Sequence, residues 1–153
     1  MPSLYTELEI NAPRPRVWKA LVNKERWVYW NTFLYDLSGS QPFRQNQPVL
    51  LSLRRVAGEA ESEFQPIVTL VQPDVCLGWR SQIPGLKNEH RFELQDVGPN
   101  RTKYCHQEQF SGWLTRLFFP LIRQKEQQGI DRMAQELKHY VESKHTENSV
   151  TSS

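Results

Sequence analysis

The segment from residue 101 to 110, RTKYCHQEQF, alternates with a period of two residues, which predicts a β-strand. One face of this strand presents Tyr104, His106, Glu108 and Phe110. A half-buried strand normally turns aliphatic side chains inward, whereas this face mixes titratable groups with aromatic rings. Such a face is more typical of a lined cavity than of a solid core. Ligand binding is therefore the first hypothesis for this chain.

The remaining patterns predict one α+β domain in a chain of 153 residues. A strand over Leu4 to Ile10 precedes two short helices, Arg14 to Asn23 and Lys24 to Trp30. Short strands separated by turn residues follow between Leu34 and Phe110, and the last two, Glu89 to Leu94 and Thr102 to Phe110, are predicted to form a hairpin. One long helix then runs from Leu121 to about Glu142, and it is the only helix able to cover the sheet. We predict a curved antiparallel sheet of about six to seven strands around that helix.

Boundaries within the predicted strands and helices depend on proline and on polarity. Glu61 to Val71 is predicted as one strand in which Pro66 marks an edge or a bulge. Pro120 is expected to kink or restart the last helix. The domain is predicted to span residues 1–142, and the polar segment 143–153 is predicted to be disordered.

Composition and motifs exclude several classes of function. The net charge is +2 and the basic residues are scattered, so nucleic acid is not an expected partner. The N-terminus does not resemble a signal peptide, and no stretch approaches about 18 apolar residues, so no transmembrane segment is expected. Cys76 and Cys105 imply no disulfide framework, so the default location is a reducing cytoplasm. Phosphate-loop, dinucleotide and GxSxG motifs are missing from the sequence, and we expect no cofactor.

Three stretches together resemble a known superfamily. They are EINAPRPRVWKAL running into Trp30 and Asn31, VTLVQPDVCLGWR from Val68 to Arg80, and EHRFEL with RTKYCHQEQFSG and the amphipathic helix after them. Their order and spacing resemble the helix-grip superfamily of START lipid-transfer domains, pollen-allergen-like proteins and polyketide cyclase/dehydrase-like proteins, often grouped as SRPBCC. The HxExFxG pattern at His106 to Gly112 resembles a bacterial subgroup whose members mostly lack an assigned activity.

This resemblance implies a helix-grip fold with a hydrophobic ligand cavity between the sheet and the C-terminal helix. The implied ligand is a small hydrophobic molecule such as a lipid, a polyketide or an aromatic compound. The resemblance implies little about chemistry, because one fold supports many functions.

His90, His106 and Glu108 form the sharpest group of candidate site residues. If the last hairpin is centred on Pro99, His90 lies opposite Glu108, close enough for a hydrogen bond. In a cavity this pair suits acid–base catalysis, and the alternative is a structural polar pair that fixes the hairpin. The same three side chains have the chemistry of zinc or iron ligands. Nothing else in the sequence supports a metal, so none is expected.

Two residues of the last helix stand out on its predicted inner stripe. Glu126 lies four residues from both Ile122 and Ile130, so it is either buried with a partner such as Arg55 or Arg80, or exposed by a kink at Pro120. Gly129 either leaves space for a cavity or packs closely against a strand or loop. Both pairs of interpretations stay open on the sequence alone.

Apolar side chains complete the predicted ligand-binding set. Aromatic residues are 11% of the chain, which suits a pocket for a flat or apolar ligand, although an aromatic core without a void fits the same composition. With the polar residues above, the predicted lining also includes Trp30, Phe64, Trp79, Phe92, Tyr104, Phe110, Ile130 and Met133.

The stretch from Trp113 to Ile122 is the most apolar in the chain. It suits a cavity gate, a membrane-touching edge or a homodimer surface, and the simplest interpretation is packing onto the sheet. Three functional hypotheses follow from the sequence. The first is binding of a hydrophobic ligand, for transport or sequestration. The second is a cyclase, dehydratase or isomerase that uses a His/Glu pair, and the third is a protein-interaction module resembling chaperone activators.

Overall fold

A computed structural model describes residues 2–39, 41–56 and 59–151, with only the backbone described for 144–151. The elements in these ranges are β1 Ser3–Ile10, α1 Arg14–Val22, a 3-10 helix Lys24–Tyr29, β2 Leu34–Asp36, β3 Leu51–Leu53, β4 Ser62–Phe64, β5 Ile67–Gln72, β6 Cys76–Ile83, β7 Leu86–Gly98, β8 Arg101–Ser111 and α2 Thr115–Thr151. The α+β class, the two short helices after β1 and the long last helix are confirmed.

The strands form two antiparallel sheets. The larger sheet has the order β1-β8-β7-β6-β5, and the smaller has the order β2-β3-β4. The prediction of one strand from Glu61 to Val71 is wrong, because β4 and β5 are separate and belong to different sheets. Pro66 lies between them and has no amide to donate to a strand ladder, so the chain changes sheet there.

The β7–β8 hairpin has the predicted register. His90 lies opposite Glu108, and Phe92 lies opposite His106. β8 also pairs with β1, so it is an interior strand and its inward face is fully enclosed. The alternating pattern that predicted this strand therefore places its titratable groups inside the protein.

Helix α2 packs its inner stripe against the sheet. This stripe contains Ile130, Met133, Ala134 and Leu137, all fully buried. The helix begins at Thr115 and continues through Pro120, so Pro120 does not restart it. Proline lacks a backbone N–H, so Pro120 removes one hydrogen bond near the start of a 37-residue helix. The later turns still face the sheet with their apolar side chains.

Polar side chains of α2 also bond to residues that flank β2 and β3. Arg132 donates from Nε to Thr32 Oγ1 at 2.7 Å and from Nη2 to the Arg54 carbonyl at 2.9 Å. Glu136 Oε2 accepts a hydrogen bond from Thr32 Oγ1 at 2.7 Å. The helix is therefore held against the larger sheet and against the segments that flank β2 and β3.

The helical backbone continues to Thr151, through most of the segment for which the sequence predicts disorder. The domain boundary at residue 142 stays a prediction. None of the helices within the described ranges combines the length and apolar character needed to cross a membrane.

Candidate functional site

A cavity of about 160 Å³ lies where the N-terminal half of α2 crosses the β6–β8 strands. Its apolar walls come from Leu53, Phe64, Ile83, Leu86, Phe110 and Phe118. Its polar walls come from Arg55, Ser81, Gln82, Asn88, His90, Glu108 and Glu126. The cavity thus joins an aromatic and aliphatic side to a side rich in charged and hydrogen-bonding groups.

Three buried side chains from three elements meet at the polar wall, and we call them the His–Glu–Glu cluster: His90, Glu108 and Glu126. One potential donor atom from each residue lies within 4.8 Å of the others. His90 Nε2 is 3.3 Å from Glu108 Oε1, because the two residues are directly opposite in the hairpin. Glu126 joins them because it lies one turn before Ile130 on the inner stripe of α2.

Each member of the cluster has a further polar partner. Asn88 Nδ2 donates to Glu108 Oε1 at 2.9 Å. Arg55 Nε donates a hydrogen bond to Glu126 Oε2. His90 Nδ1 and His106 Nε2 share a hydrogen bond of 2.9 Å. The cluster is therefore held in place from outside as well as packed.

The fully buried His106 ring stacks on Phe92, with the ring centroids 4.0 Å apart. Burial, followed by the charge of His90, lowers the pKa of His106 well below its ordinary value. His106 is therefore a neutral imidazole that orients His90, and it does not line the cavity.

The two carboxyl groups of the cluster have opposite pKa shifts. Burial, followed by the charge of Glu108, raises the pKa of Glu126 to about 9. Burial opposes ionisation of Glu108 as well, but His90 and the hydrogen bonds to its carboxylate lower its pKa to about 2. At neutral pH the pair consequently holds one proton, on Glu126, beside an ionised Glu108.

Two buried oxygens at the cavity wall have no hydrogen-bond partner among the described residues. They are Glu108 Oε2 and Ser81 Oγ. A buried polar atom without a partner costs about 1–3 kcal/mol, and more when it is charged. An occupant that supplies a hydrogen-bond donor or a cation would remove this cost.

The structure divides the predicted ligand-binding residues into two groups. The first group lines the cavity: Phe64, His90, Glu108, Phe110 and Glu126. The second packs within the core outside the cavity walls: Trp30, Trp79, Phe92, Tyr104, His106, Gly129, Ile130 and Met133. Of the two interpretations of Glu126, burial with Arg55 is the one observed.

Gly129 is explained by close packing and not by an open cavity. A Cβ atom built there would lie 2.5 Å from two ring carbons of Phe33. Phe33 therefore fills the space beneath this turn of α2, and the open volume lies nearer the start of the helix.

Asn88, Ser81 and Phe118 belong to the site, although the sequence patterns did not indicate them. Asn88 lies two residues before His90 and so faces the same side of β7. The predicted strand began at Glu89, one residue too late to include it. Period-two alternation would have found Asn88 if the strand had been extended.

Three side chains of the apolar stretch after β8 are exposed. Trp113, Leu117 and Leu121 are 75%, 70% and 79% exposed, respectively. Simple packing onto the sheet therefore does not describe these three, although Phe118 and Phe119 do pack against the core. The roles of gate, membrane-touching edge and dimer surface stay predictions.

Comparison with known proteins shows the fold. No protein-family model matches the sequence, and no curated protein matches it closely. Among solved structures, the chain is similar to a START superfamily protein from Mycobacterium smegmatis, with a TM-score of 0.68, 17% identity, and coverage of 92% of this chain and 97% of that one. The chain therefore has the START-like helix-grip fold.

Two further similar structures come from larger proteins. The di-domain ARO/CYC BexL from the BE-7585A biosynthetic pathway gives a TM-score of 0.69 at 11% identity, covering 93% of this chain and 47% of that one. DynU16, a putative protein in the dynemicin biosynthetic locus, gives a TM-score of 0.65 at 19% identity, and the match covers 92% of this chain and 47% of that one. This chain spans about half the length of each.

Proposed function

We propose that this protein binds a small molecule whose apolar body lies against Phe64, Phe110 and Phe118 and whose polar end meets the His–Glu–Glu cluster. The observation that supports this most directly is Glu108 Oε2, which lies at the wall of a cavity with one apolar side and has no hydrogen-bond partner among the described residues. Ligand pockets are typically apolar with a few placed polar groups.

The cavity also limits the chemistry of the ligand. Burying its apolar surface contributes about 25 cal/mol per Å² to binding. Glu108 Oε2 can only accept a hydrogen bond, so the polar end is a donor such as a hydroxyl or an amine. A volume of about 160 Å³ is below the 300–1,000 Å³ of typical pockets, which favours a small aromatic or aliphatic alcohol over a two-chain lipid.

Ligand binding is tested with a panel of phenols, short-chain alcohols and polyketide fragments. The five tryptophans allow binding to be followed by fluorescence, and native mass spectrometry of the purified protein detects a co-purified ligand. Glu108→Gln weakens binding of hydroxyl-bearing compounds because an acceptor oxygen is replaced by an amide. Glu89→Gln is the matched control, since Glu89 is 43% exposed on the same hairpin.

If no compound changes the fluorescence or the melting temperature, and no ligand co-purifies, the proposal is wrong. It is also wrong if Glu89→Gln and Glu108→Gln reduce binding equally, because binding would then not involve the cluster.

Acid–base catalysis in the same cavity is the second candidate function. An imidazole and carboxyl groups side by side at a cavity wall are the groups that general acid–base catalysis uses. The likeness to BexL, an ARO/CYC protein, favours a cyclase or dehydratase over other reactions. Turnover of a polyketide fragment that Glu108→Gln abolishes, without a change in melting temperature, would support this candidate.

The protein-interaction hypothesis has mixed support. It requires an exposed apolar surface, which Trp113, Leu117 and Leu121 provide. It also requires a filled interior, and the cavity beneath α2 counts against that. Ligand binding therefore remains the function that the site supports best.

A further inference from the structure

We infer that the His–Glu–Glu cluster is a binding site for a divalent transition-metal ion. The ligands would be His90 Nε2 and one carboxylate oxygen each from Glu108 and Glu126. This inference concerns the same cavity as the proposed function, but it does not depend on an organic ligand being bound.

The donor atoms are already close to metal-binding geometry. A tetrahedral Zn²⁺ with bonds of about 2.0–2.1 Å places its donors roughly 3.3 Å apart. His90 Nε2 and Glu108 Oε1 are 3.3 Å apart. The separations that involve Glu126 are at most 4.8 Å, and rotation of a glutamate side chain can close that gap. All three side chains are at least 95% buried, so they form a defined site and not an exposed acidic patch.

Each proposed metal ligand also has an outer partner of the kind that orients metal ligands in proteins. His106 bonds the ring nitrogen of His90 that faces away from the cluster. Asn88 donates to Glu108, and Arg55 pairs with Glu126. These contacts leave Glu108 Oε2 without a hydrogen-bond partner among the described residues. A cation beside this oxygen would complete its coordination.

The donor set determines the type of ion. An imidazole nitrogen favours zinc, iron or another transition metal over Mg²⁺ and Ca²⁺, which prefer oxygen donors alone. Three protein ligands leave a fourth position open, and the cluster faces the cavity. A hydroxyl on a molecule in the cavity would therefore reach the ion directly. The sequence pattern offered His106 as the third ligand, but Glu126 is the residue near His90 and Glu108, and His106 bonds the opposite side of the His90 ring.

Metal binding is tested on an untagged, chelator-treated protein titrated with Zn²⁺ by calorimetry and with Co²⁺ by visible absorption. We expect one ion per chain, with Co²⁺ absorption typical of low coordination number. Glu108→Gln and Glu126→Gln should each weaken affinity by more than the roughly 10- to 100-fold that follows loss of an outer partner. His90→Gln should do the same, whereas His139→Gln, at an exposed histidine, should bind as the unmodified chain does.

A measurement on the unmodified chain keeps the inference testable if a variant fails to fold. In the unmodified chain, Zn²⁺ should shift the ring nitrogen resonances of His90 and leave those of His139 unchanged. Absence of saturable one-to-one binding, or binding lost in His139→Gln but kept in Glu108→Gln, would overturn the inference. Repeating the organic-ligand panel with and without Zn²⁺ separates the two proposals, because either form of binding can fail while the other persists.

Discussion

Glu126 shows how one residue can define a site. Its sequence position allowed either burial or exposure, and the structure leaves only 1% of it exposed. The hydrogen bond from Arg55 offsets part of the cost of burial, and the proton that Glu126 retains at neutral pH offsets more. A buried carboxyl group next to a second one is uncommon without a functional reason, although structural networks also contain such pairs.

The protonation of Glu126 predicts a pH-dependent stability. Its pKa is raised from about 4.5 to about 9, so the native state binds the proton more tightly than the unfolded chain. The stabilisation is complete below about pH 4.5 and is lost as the pH rises towards 9. Gln does not titrate, so Glu126→Gln removes this dependence. Between about pH 4.5 and pH 9, the free energy of unfolding of the variant should therefore rise relative to that of the unmodified protein by up to about 1.4 kcal/mol per pH unit.

Urea unfolding at pH 5, 7 and 9, in the presence of a chelator, measures this difference. Glu89→Gln serves as the control and should follow the unmodified protein at every pH. A constant difference between Glu126→Gln and the unmodified protein would show that Glu126 is ionised throughout this range.

At the scale of elements, helix α2 defines where the cavity can be. Phe33 fills the space under Gly129, while Glu126 and Phe118 remain at the edge of the open volume. The hairpin β7–β8 supplies the opposite wall with His90, Glu108 and Phe110. The His–Glu–Glu cluster is thus built from one helix and one hairpin, both rigid elements, and such support suits precise placement of polar groups.

Replacement of Gly129 tests the close packing of α2. In an exposed helix, replacing Gly by Ala raises stability by up to about 1 kcal/mol. Here the added Cβ meets the Phe33 ring, so we expect a loss of about 1–3 kcal/mol in the free energy of unfolding. Gln128→Ala, at an exposed neighbour, should not destabilise the protein. Adding Phe33→Leu to Gly129→Ala should restore part of the loss, and a stabilised single variant would show that the cavity extends beneath Gly129.

At the scale of the whole molecule, the core of the described residues runs along α2 as far as Val141. Val141 is 2% exposed, and Glu142 accepts a hydrogen bond from the backbone amide of Asn11 at 2.9 Å. These contacts join the far end of α2 to the segment between β1 and α1. Beyond them, the domain boundary predicted at residue 142 can be examined directly by truncation.

A chain that ends after Ser143 should keep the free energy of unfolding within about 0.5 kcal/mol of the full chain, because it retains the contacts of Val141 and Glu142. A chain that ends after Tyr140 loses the buried Val141 and should be less stable by at least about 1.5 kcal/mol. Thermal and urea unfolding of both truncated chains provide the measurement. Equal destabilisation by the two truncations would place the end of the domain beyond residue 143.

Local patterns in the sequence were sufficient for β1, the two short helices after it and the register of the β7–β8 hairpin. Period-two alternation and a turn at Pro99 place His90 opposite Glu108, because both signals act over a few residues. The same signals could not separate β4 from β5 into two sheets, since sheet membership depends on partners distant in the chain. They also could not decide whether aromatic residues fill a core or line a cavity. That outcome depends on how Phe33 packs against Gly129 and on how Arg55 meets Glu126, 71 residues away. Such contacts between distant segments exist only once the chain has folded, so the position and chemistry of the cavity were decided by the tertiary structure.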